Sequence, residues 1–493
     1  MPAQGAHMEQ QSAPEAPPET KAPSSGKGMW IGLIVVVIVI VILLAAVFGG
    51  LLGPPEDRVL KIGTVLSITG GLAAFGGKNR QGVIMAIDEI NGKGGVLGAP
   101  VQLFHQNDAT NPDTAQAAAN TLVSQNRVDA IIGATGSGQC ARVVTVASAN
   151  GVFEISGSCT SPRFTNLTLT GGWWARTAPS DALQGVVAAS YAHSTGTGNL
   201  SYNRAAVIGI NNAYGVALAN VFAGNFTRLG GTVTAGSPRI VTEVQNGATD
   251  YTTDLAAVLD VNPAPQMIYL VAYPPDAILV MQNWEAGKPT HSAGWQNVFW
   301  LFSEGVFDQT GFLDVLRNAP NSFDISAYQG TAPSAFGGIT GPNYTSWQSA
   351  YNAKWGAAPG LFDDNNYDAA YLIALAAQAA GSATGAAIKS KIFAVANPPG
   401  TKIYPGQWDK ALAEIAAGHD IDYDGASGAV NIDNYGDPLS GYIVWAVNGA
   451  GTAYNKEIFP EGLVVSLLPA PPAPAPPGTR SAFLTQLEAR DEG

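Results

Sequence analysis

Two short loops rich in small and hydroxyl residues carry the chemistry that the spacing in this chain suggests: Gly136-Ser137-Gly138 and Gly157-Ser158-Cys159-Thr160. Each follows a short apolar run, residues 130–132 and 152–155, the second interrupted by Glu154. Between the runs, residues 141–147 place apolar side chains at helical spacing. The pattern reads strand, loop, helix, strand, loop. Both loops then fall at the carboxyl ends of parallel strands, where open α/β sheets bind ligands. Gly, Ser and Thr at that edge let backbone N–H and hydroxyl groups approach a small anion closely, with no cationic side chain.

The composition narrows what such an edge could serve. The 493 residues suffice for two lobes and more than one core. Apolar residues make up 46% and charged residues 12%, the balance of a folded protein packed with small side chains. A net charge of -13 argues against nucleic acid as a partner. Two cysteines are too few for a disulfide scaffold or a cysteine-rich metal site. The five histidines are scattered, and no pair has ligand spacing, so no metal or other cofactor is expected. GxxxxGK[ST], GxSxG and HExxH are all missing, which disfavours a phosphate loop, a nucleophile elbow and a zinc hydrolase. The chain reads as a binder, not an enzyme.

Other elements must position the loops. Residues 1–28, rich in Pro, Ala, Gln and Glu, read as a disordered tail. Residues 29–52 carry no charge, and as a helix they would span roughly 36 Å, enough to cross a bilayer. Gly53-Pro54-Pro55 ends that run. Lys21 and Lys27 before it suggest a cytoplasmic N-terminus and an exported body tethered at the cell surface. From residue 59, strands and helices alternate as in a doubly wound α/β lobe. Asp113 with Gln116 makes a capping-box signal for the helix that follows. A second series of strands begins near residue 205, and residues 369–380 read as an Ala-rich helix with Asp368 as its N-cap. The run PAPPAPAPPGT near the end reads as an extended linker.

In their order and spacing these stretches resemble the Leu/Ile/Val-binding proteins, type I solute-binding proteins of ABC importers. The matching segments are SITGGLAAFG (67–76), NDATNPDTAQAAANTLV (107–123), the two loops above, RTAPSDALQG (176–185), NNAYG (211–215) and SEGV (303–306). The resemblance covers about residues 59–453. It implies two doubly wound α/β lobes joined by a hinge, with residues 58–182 and 333–430 in the first and 183–332 and 431–465 in the second. The anchor at 29–52 would precede them and a Pro-rich tail, 466–493, would follow. It implies that an amino acid is captured between the closing lobes and handed to a membrane permease. Ser137, Ser158 and Thr160 are the positions matching those that hold the ligand carboxylate, and Asp181 and Glu304 those that hold the ammonium from the two lobes. An ammonium has three donors and no acceptor, so acids on opposite sides both satisfy it and draw the lobes together. Phe75, Tyr214 and Tyr273 match aromatic positions that line the pocket.

The chain also departs from that pattern. The anchor is a membrane helix where the family has a cleaved signal. An early cysteine loop found in some members is missing, and Cys140 and Cys159 follow adjacent strands instead, where a disulfide could form. The stretches 283–296 and 363–366 look altered or lengthened, which bears on side-chain specificity more than on the grip of the backbone groups. Sequons at Asn166, Asn199, Asn225 and Asn343 are compatible with export. A monomer is expected. Two alternatives share the fold: a receptor ectodomain that senses an amino acid, and a binder of urea or short amides.

Overall fold

The computed structural model describes residues 58–195, 198–319, 323–333 and 342–469. The uncharged run at 29–52 and both tails lie outside the described residues. Among the described residues no single helix is long and apolar enough to cross a membrane.

The first sheet is wholly parallel, in the order β2-β1-β3-β4-β5. Its strands are β1 (Lys61–Leu66), β2 (Gln102–Asn107), β3 (Ala130–Gly133), β4 (Phe153–Ser156) and β5 (Trp174–Arg176). β3 and β4 are buried along their whole length, as expected of central strands covered on both faces. Helices α1 (Ala73–Gly92), α2 (Pro112–Thr121) and α3 (Ser137–Ala149) supply the crossovers. α1 packs Val83, Ile87 and Ile90 on the face that carries Ile62, Ile132 and Ile155. α2 and α3 cover the other face through Ala115, Ala119, Val143 and Val144, with Val65 and Ile131. Asn111, not Asp113, caps α2: its side chain accepts from the N–H groups of Asp113 and Thr114, and Pro112 takes the first helical position.

After β5 the chain runs through α4 (Asp181–His193) into a second sheet. Its parallel part is β6 (Arg204–Ile210), β7 (Thr232–Val233), β8 (Arg239–Val241), β9 (Met267–Val271), β10 (Phe299–Phe302) and β11 (Gln329–Pro333). The spatial order β7-β6-β9-β10-β11, with β8 also on β6, repeats the winding of the first sheet. Helices α5 (Gly215–Arg228), α6 (Thr252–Leu259) and α7 (Pro274–Gly287) connect these strands. Their apolar stripes meet in one core around Leu218, Phe222, Leu255 and Val280.

The chain then returns to pack on the first sheet with α8 (Pro342–Trp355), α9 (Asp363–Ala380) and α10 (Gly385–Ala396). A small sheet follows, β12 (Thr401–Ile403), β13 (Ile421–Gly425) and β14 (Gly428–Ala429). Finally it adds antiparallel β15 (Tyr442–Val447) and β16 (Ala453–Phe459) to the edge of the second sheet at β11.

Two sequence expectations need correction here. α9 starts at Asp363, with Phe362 at its N-cap position, so Asp368 lies inside the helix and caps nothing. Its carboxylate instead accepts from the Tyr423 hydroxyl and from the N–H groups of Ala426 and Ser427. The polar run 363–366, read as an altered stretch, is the buried first turn of this helix. α9 sits close on α1 because residue 82 is glycine: a Cβ there would lie 2.1 Å from the carbonyl oxygen of Asp363. Nearby, Asn79 Nδ2 donates to the Leu361 carbonyl and to Asp363 Oδ1, both at 3.0 Å.

Cys140, in the first turn of α3, and Cys159, after β4, form a disulfide with Cα atoms 6.6 Å apart. Both are fully buried beside Ala134 and Val144.

Candidate functional site

In a sheet wound this way the chain leaves in opposite directions on either side of a switch point, and a crevice opens at the carboxyl ends of the strands there. The first sheet turns between β1 and β3, the second between β6 and β9. The segments after those strands line one cavity between the two sheets: Leu72 and Phe75 after β1, Thr135 to Ser137 after β3, and Ser158 and Thr160 after β4. Tyr214 follows β6, Tyr273 follows β9, and Glu304 and Gly305 follow β10. Leu361 and Phe362, just before α9, complete the wall. The space open to the centres of water-sized groups is about 30 Å³.

Seven of the eight ligand-binding positions expected from the sequence line this cavity: Phe75, Ser137, Ser158, Thr160, Tyr214, Tyr273 and Glu304. The eighth, Asp181, is fully buried at the start of α4, where Ser180 is the N-cap, and its N–H donates to the Thr160 carbonyl at 2.8 Å. Glu304 is held from several sides. Gln184 Nε2 donates to its Oε2 at 2.6 Å, and so does the Tyr214 hydroxyl at 2.9 Å. The Thr160 hydroxyl reaches Oε1 only at 3.5 Å. Both carboxyl oxygens of Asp181 are buried without a hydrogen-bond partner among the described residues. Three carboxyl oxygens are therefore left with a weak donor or none, and an ammonium brings three N–H donors.

The electrostatics follow from the burial. Loss of water pushes the Glu304 carboxyl up to about 7. Burial first, and then the Glu304 charge, push Asp181 well above the usual carboxylate range. A cation between them would favour the charged forms of both.

The start of α3, also on the cavity wall, offers donors. No side chain caps α3, whose N-cap position is Gly136. The Gln139 N–H donates to the Gly136 carbonyl at 3.1 Å, so the N–H groups of Ser137 and Gly138 and the positive dipole end remain for an anion. Ser137 Oγ accepts from the Ser161 N–H at 3.2 Å, which leaves its hydrogen to donate. Ser158 is used differently from the expectation. Its hydroxyl donates to the carbonyls of Ala134 and Thr135, at 3.2 and 3.0 Å, so it shapes the loop and has no hydrogen for a carboxylate. The rings of Tyr214 and Tyr273 stack with centroids 5.5 Å apart and form the apolar side wall.

Gln184, Thr135, Leu72, Leu361 and Phe362 were not singled out in the sequence. Gln184 sits in the first turn of α4 in an ordinary pattern, and its role shows only once Thr331 is seen to hold it: Nε2 also donates to the Thr331 carbonyl and hydroxyl. Among the described residues no group of three or more His, Cys, Asp or Glu is placed to hold a metal ion.

Two lobes of like winding, facing switch points and a cavity lined by a buried acid, hydroxyls and an uncapped helix start define a two-lobed solute binder. The chain belongs to the periplasmic binding protein family, whose profile matches residues 59–435. It is 25% identical over 422 residues to the chemotactic signal transduction system substrate-binding protein BasB of Halobacterium salinarum, a match that covers 81% of this chain and 90% of that one. It is 34% identical over 189 residues to the Leu/Ile/Val-binding protein BraC3 of Rhizobium johnstonii, covering 38% of this chain and 47% of that one. Among solved structures it resembles a leucine-binding protein, LivK, of Thermotoga maritima, with a TM-score of 0.65 and 24% identity over 82% of this chain and 99% of that one. LivJ of Streptococcus pneumoniae, solved with isoleucine, gives 0.63 and 21% over the same shares. At these identities the two structures speak for the fold. The resemblance to the Leu/Ile/Val-binding proteins read from the motifs is borne out.

Two outcomes are expected at this site. If Ser137 holds the ligand carboxylate as the resemblance implies, Ser137→Ala should weaken binding by about 1.5–3 kcal/mol in calorimetry. Unchanged affinity would place the anion elsewhere. The second concerns pH. With Glu304 near 7 in the empty protein and lower beside an ammonium, binding releases a proton. Affinity should therefore rise on the order of tenfold between pH 5.5 and 7.5. The empty protein behaves in the opposite sense. Its folded state binds the Glu304 proton more tightly than the unfolded chain does, so this group's share of stability falls as pH rises from the ordinary carboxylate range through about 7. Titrations in two buffers of different ionisation heat would read the proton directly, and equal heats would refute the linkage.

Proposed function

We propose that this chain captures an amino acid, branched-chain or otherwise small and apolar, between its two lobes outside the cytoplasm and delivers it to an ABC permease. The observation that supports the reading is the pairing of two buried acids, Glu304 on the cavity wall and Asp181 behind Thr160 with both oxygens unpartnered among the described residues, with the uncapped N-terminus of α3 on the same wall. A zwitterion satisfies both at once. Leu72, Phe75, Leu361 and Phe362 then surround its side chain, and the small free volume favours a compact one. Ser137, the α3 N–H groups and the face of Thr160 take the carboxylate and ammonium in this reading, with Tyr214 and Tyr273 as side walls. No catalytic role is assigned to any of these residues.

The test is a thermal-shift screen of the purified chain with leucine, isoleucine, valine and alanine, and with urea and acetamide alongside. Stabilisation by one of the amino acids is expected. Stabilisation by urea or acetamide alone would replace the reading with an amide binder. Sensing is a second reading, supported by the long match to a chemotactic substrate-binding protein. Uptake of labelled ligand that survives deletion of the gene, together with lost taxis toward that ligand, would favour sensing over import. The tether at residues 29–52 belongs to this proposal too, and recovery of the full chain in the soluble fraction after carbonate extraction would refute it.

A further inference from the structure

A second cavity lies between the same two lobes, beside the first, with about 480 Å³ open to water-sized groups. Its first-lobe wall carries Arg142 on α3, Arg163 after β4, and Gln139. Its second-lobe wall carries Asn212 after β6 and Glu243, Gln245 and Asn246 after β8. Arg163 makes no side-chain hydrogen bond or ion pair among the described residues. Arg142 has only an exposed, 3.5 Å contact with Asp113, a pair of little worth in water. Gln139 is 97% buried, being 3% exposed, yet its carboxamide has no hydrogen-bond partner among the described residues, and its open side is this cavity. It also forms the partition: a Cβ on Gly136, in the first cavity, would meet Gln139 Oε1.

The far wall is arranged differently. Asn212 Nδ2, Gln245 Nε2 and Asn246 Nδ2 all donate to the Glu243 carboxylate, at 2.9, 3.1 and 3.1 Å. These bonds use the amide nitrogens and leave the carbonyl oxygens of Gln245 and Asn246 to accept. One wall is thus cationic and rich in donors, and the other is rich in acceptors. An amide without a hydrogen-bond partner, open to this cavity, beside one guanidinium group without a partner among the described residues and a second held only by the weak contact with Asp113, is the arrangement that an anion completes.

We propose that the second cavity binds a small organic anion, a hydroxy- or amino-carboxylate, with its carboxylate on Arg142, Arg163 and Gln139 and its hydroxyl or amino donors on Gln245 and Asn246. This site is separate from the amino-acid cavity and does not depend on that reading. The probe is L-malate, titrated calorimetrically into the full chain, with sodium chloride at matched ionic strength as the control. A saturable response is expected, weakened tenfold or more in the Arg142→Gln/Arg163→Gln double variant, whose two side chains are exposed and whose melting temperature reports that it is folded. Glu304→Ala, which disables the first cavity, should leave the malate response intact. Failure to saturate, an equal response to sodium chloride, or an unchanged response in the double variant would overturn the proposal. So would loss of the response in Glu304→Ala, which would place malate in the first cavity.

Discussion

Glu304→Ala is expected to abolish ligand-dependent stabilisation while leaving the melting temperature of the empty protein nearly unchanged. At about 100 times its dissociation constant a ligand stabilises the folded state by roughly 2.7 kcal/mol, and that shift is the signal to be lost. Truncating one partner of a buried charge pair costs about 3–5 kcal/mol, because the ammonium is left underpaired. The empty protein tolerates the change because the groups around Glu304 keep other partners. Gln184 still has the carbonyl and hydroxyl of Thr331, and the Tyr214 hydroxyl still reaches Ser303 Oγ at 2.8 Å. Asp181→Ala should behave alike, and more favourably when empty, since both Asp181 oxygens are buried without partners among the described residues. The α-keto analogue of the best ligand lacks the ammonium and should also fail. Full binding by that analogue, or by the Glu304→Ala protein, would show that these acids serve another purpose.

The second large effect is on stability. Replacing Cys140 and Cys159 together by alanine should lower unfolding free energy by about 3 kcal/mol, the chain-entropy value for a loop of this size. Denaturant midpoints with an unchanged slope would measure it. The loss should reach the site, because Cys140 lies in the first turn of α3 and Cys159 stands between Ser158 and Thr160. Weaker ligand binding is therefore expected alongside the lower midpoint. A double variant as stable as the parent would mean that packing alone holds this corner.

Much of this arrangement could be read from the sequence where chain punctuation and chemistry coincide. The loops after β3 and β4 announce themselves because Gly, Ser and Thr interrupt apolar runs, and the structure brings both to the cavity. Asp181 and Glu304 were legible only through the resemblance, since a lone acid at a helix start or after a strand has many ordinary uses. Ser158 shows the limit of reading by residue type. Whether its hydroxyl faces a ligand or the Ala134 carbonyl is a matter of rotamer, and no pattern encodes that. The α9 start was misplaced because Asp363, Asp364, Asn365 and Asn366 look like a solvated loop. Tertiary partners supplied from the first lobe more than a hundred residues earlier in the chain, Asn79 for Asp363 and Thr177 for Asn365, help to hold that polar turn in a buried helix. Leu361 and Phe362 went unnoticed for the same reason: they reach the cavity through a return of the chain that local periodicity does not foretell.

On the proposed reading, the close seat of α9 on α1, allowed by Gly82, orders events in time. Leu361 is tied to α1 through Asn79, so it and Phe362 travel with Ser137 and the N-terminus of α3. Tyr214, Tyr273 and Glu304 stand after strands of the second sheet. On the proposed reading, a parted molecule greets its solute with an anion cradle and two apolar side chains already in place, while the Glu304 counter-charge for the amine stands across the gap. The amine is examined in full only as the halves meet. Discrimination between an amino acid and its keto or hydroxy analogue then resides in how long each stays, not in how often each arrives.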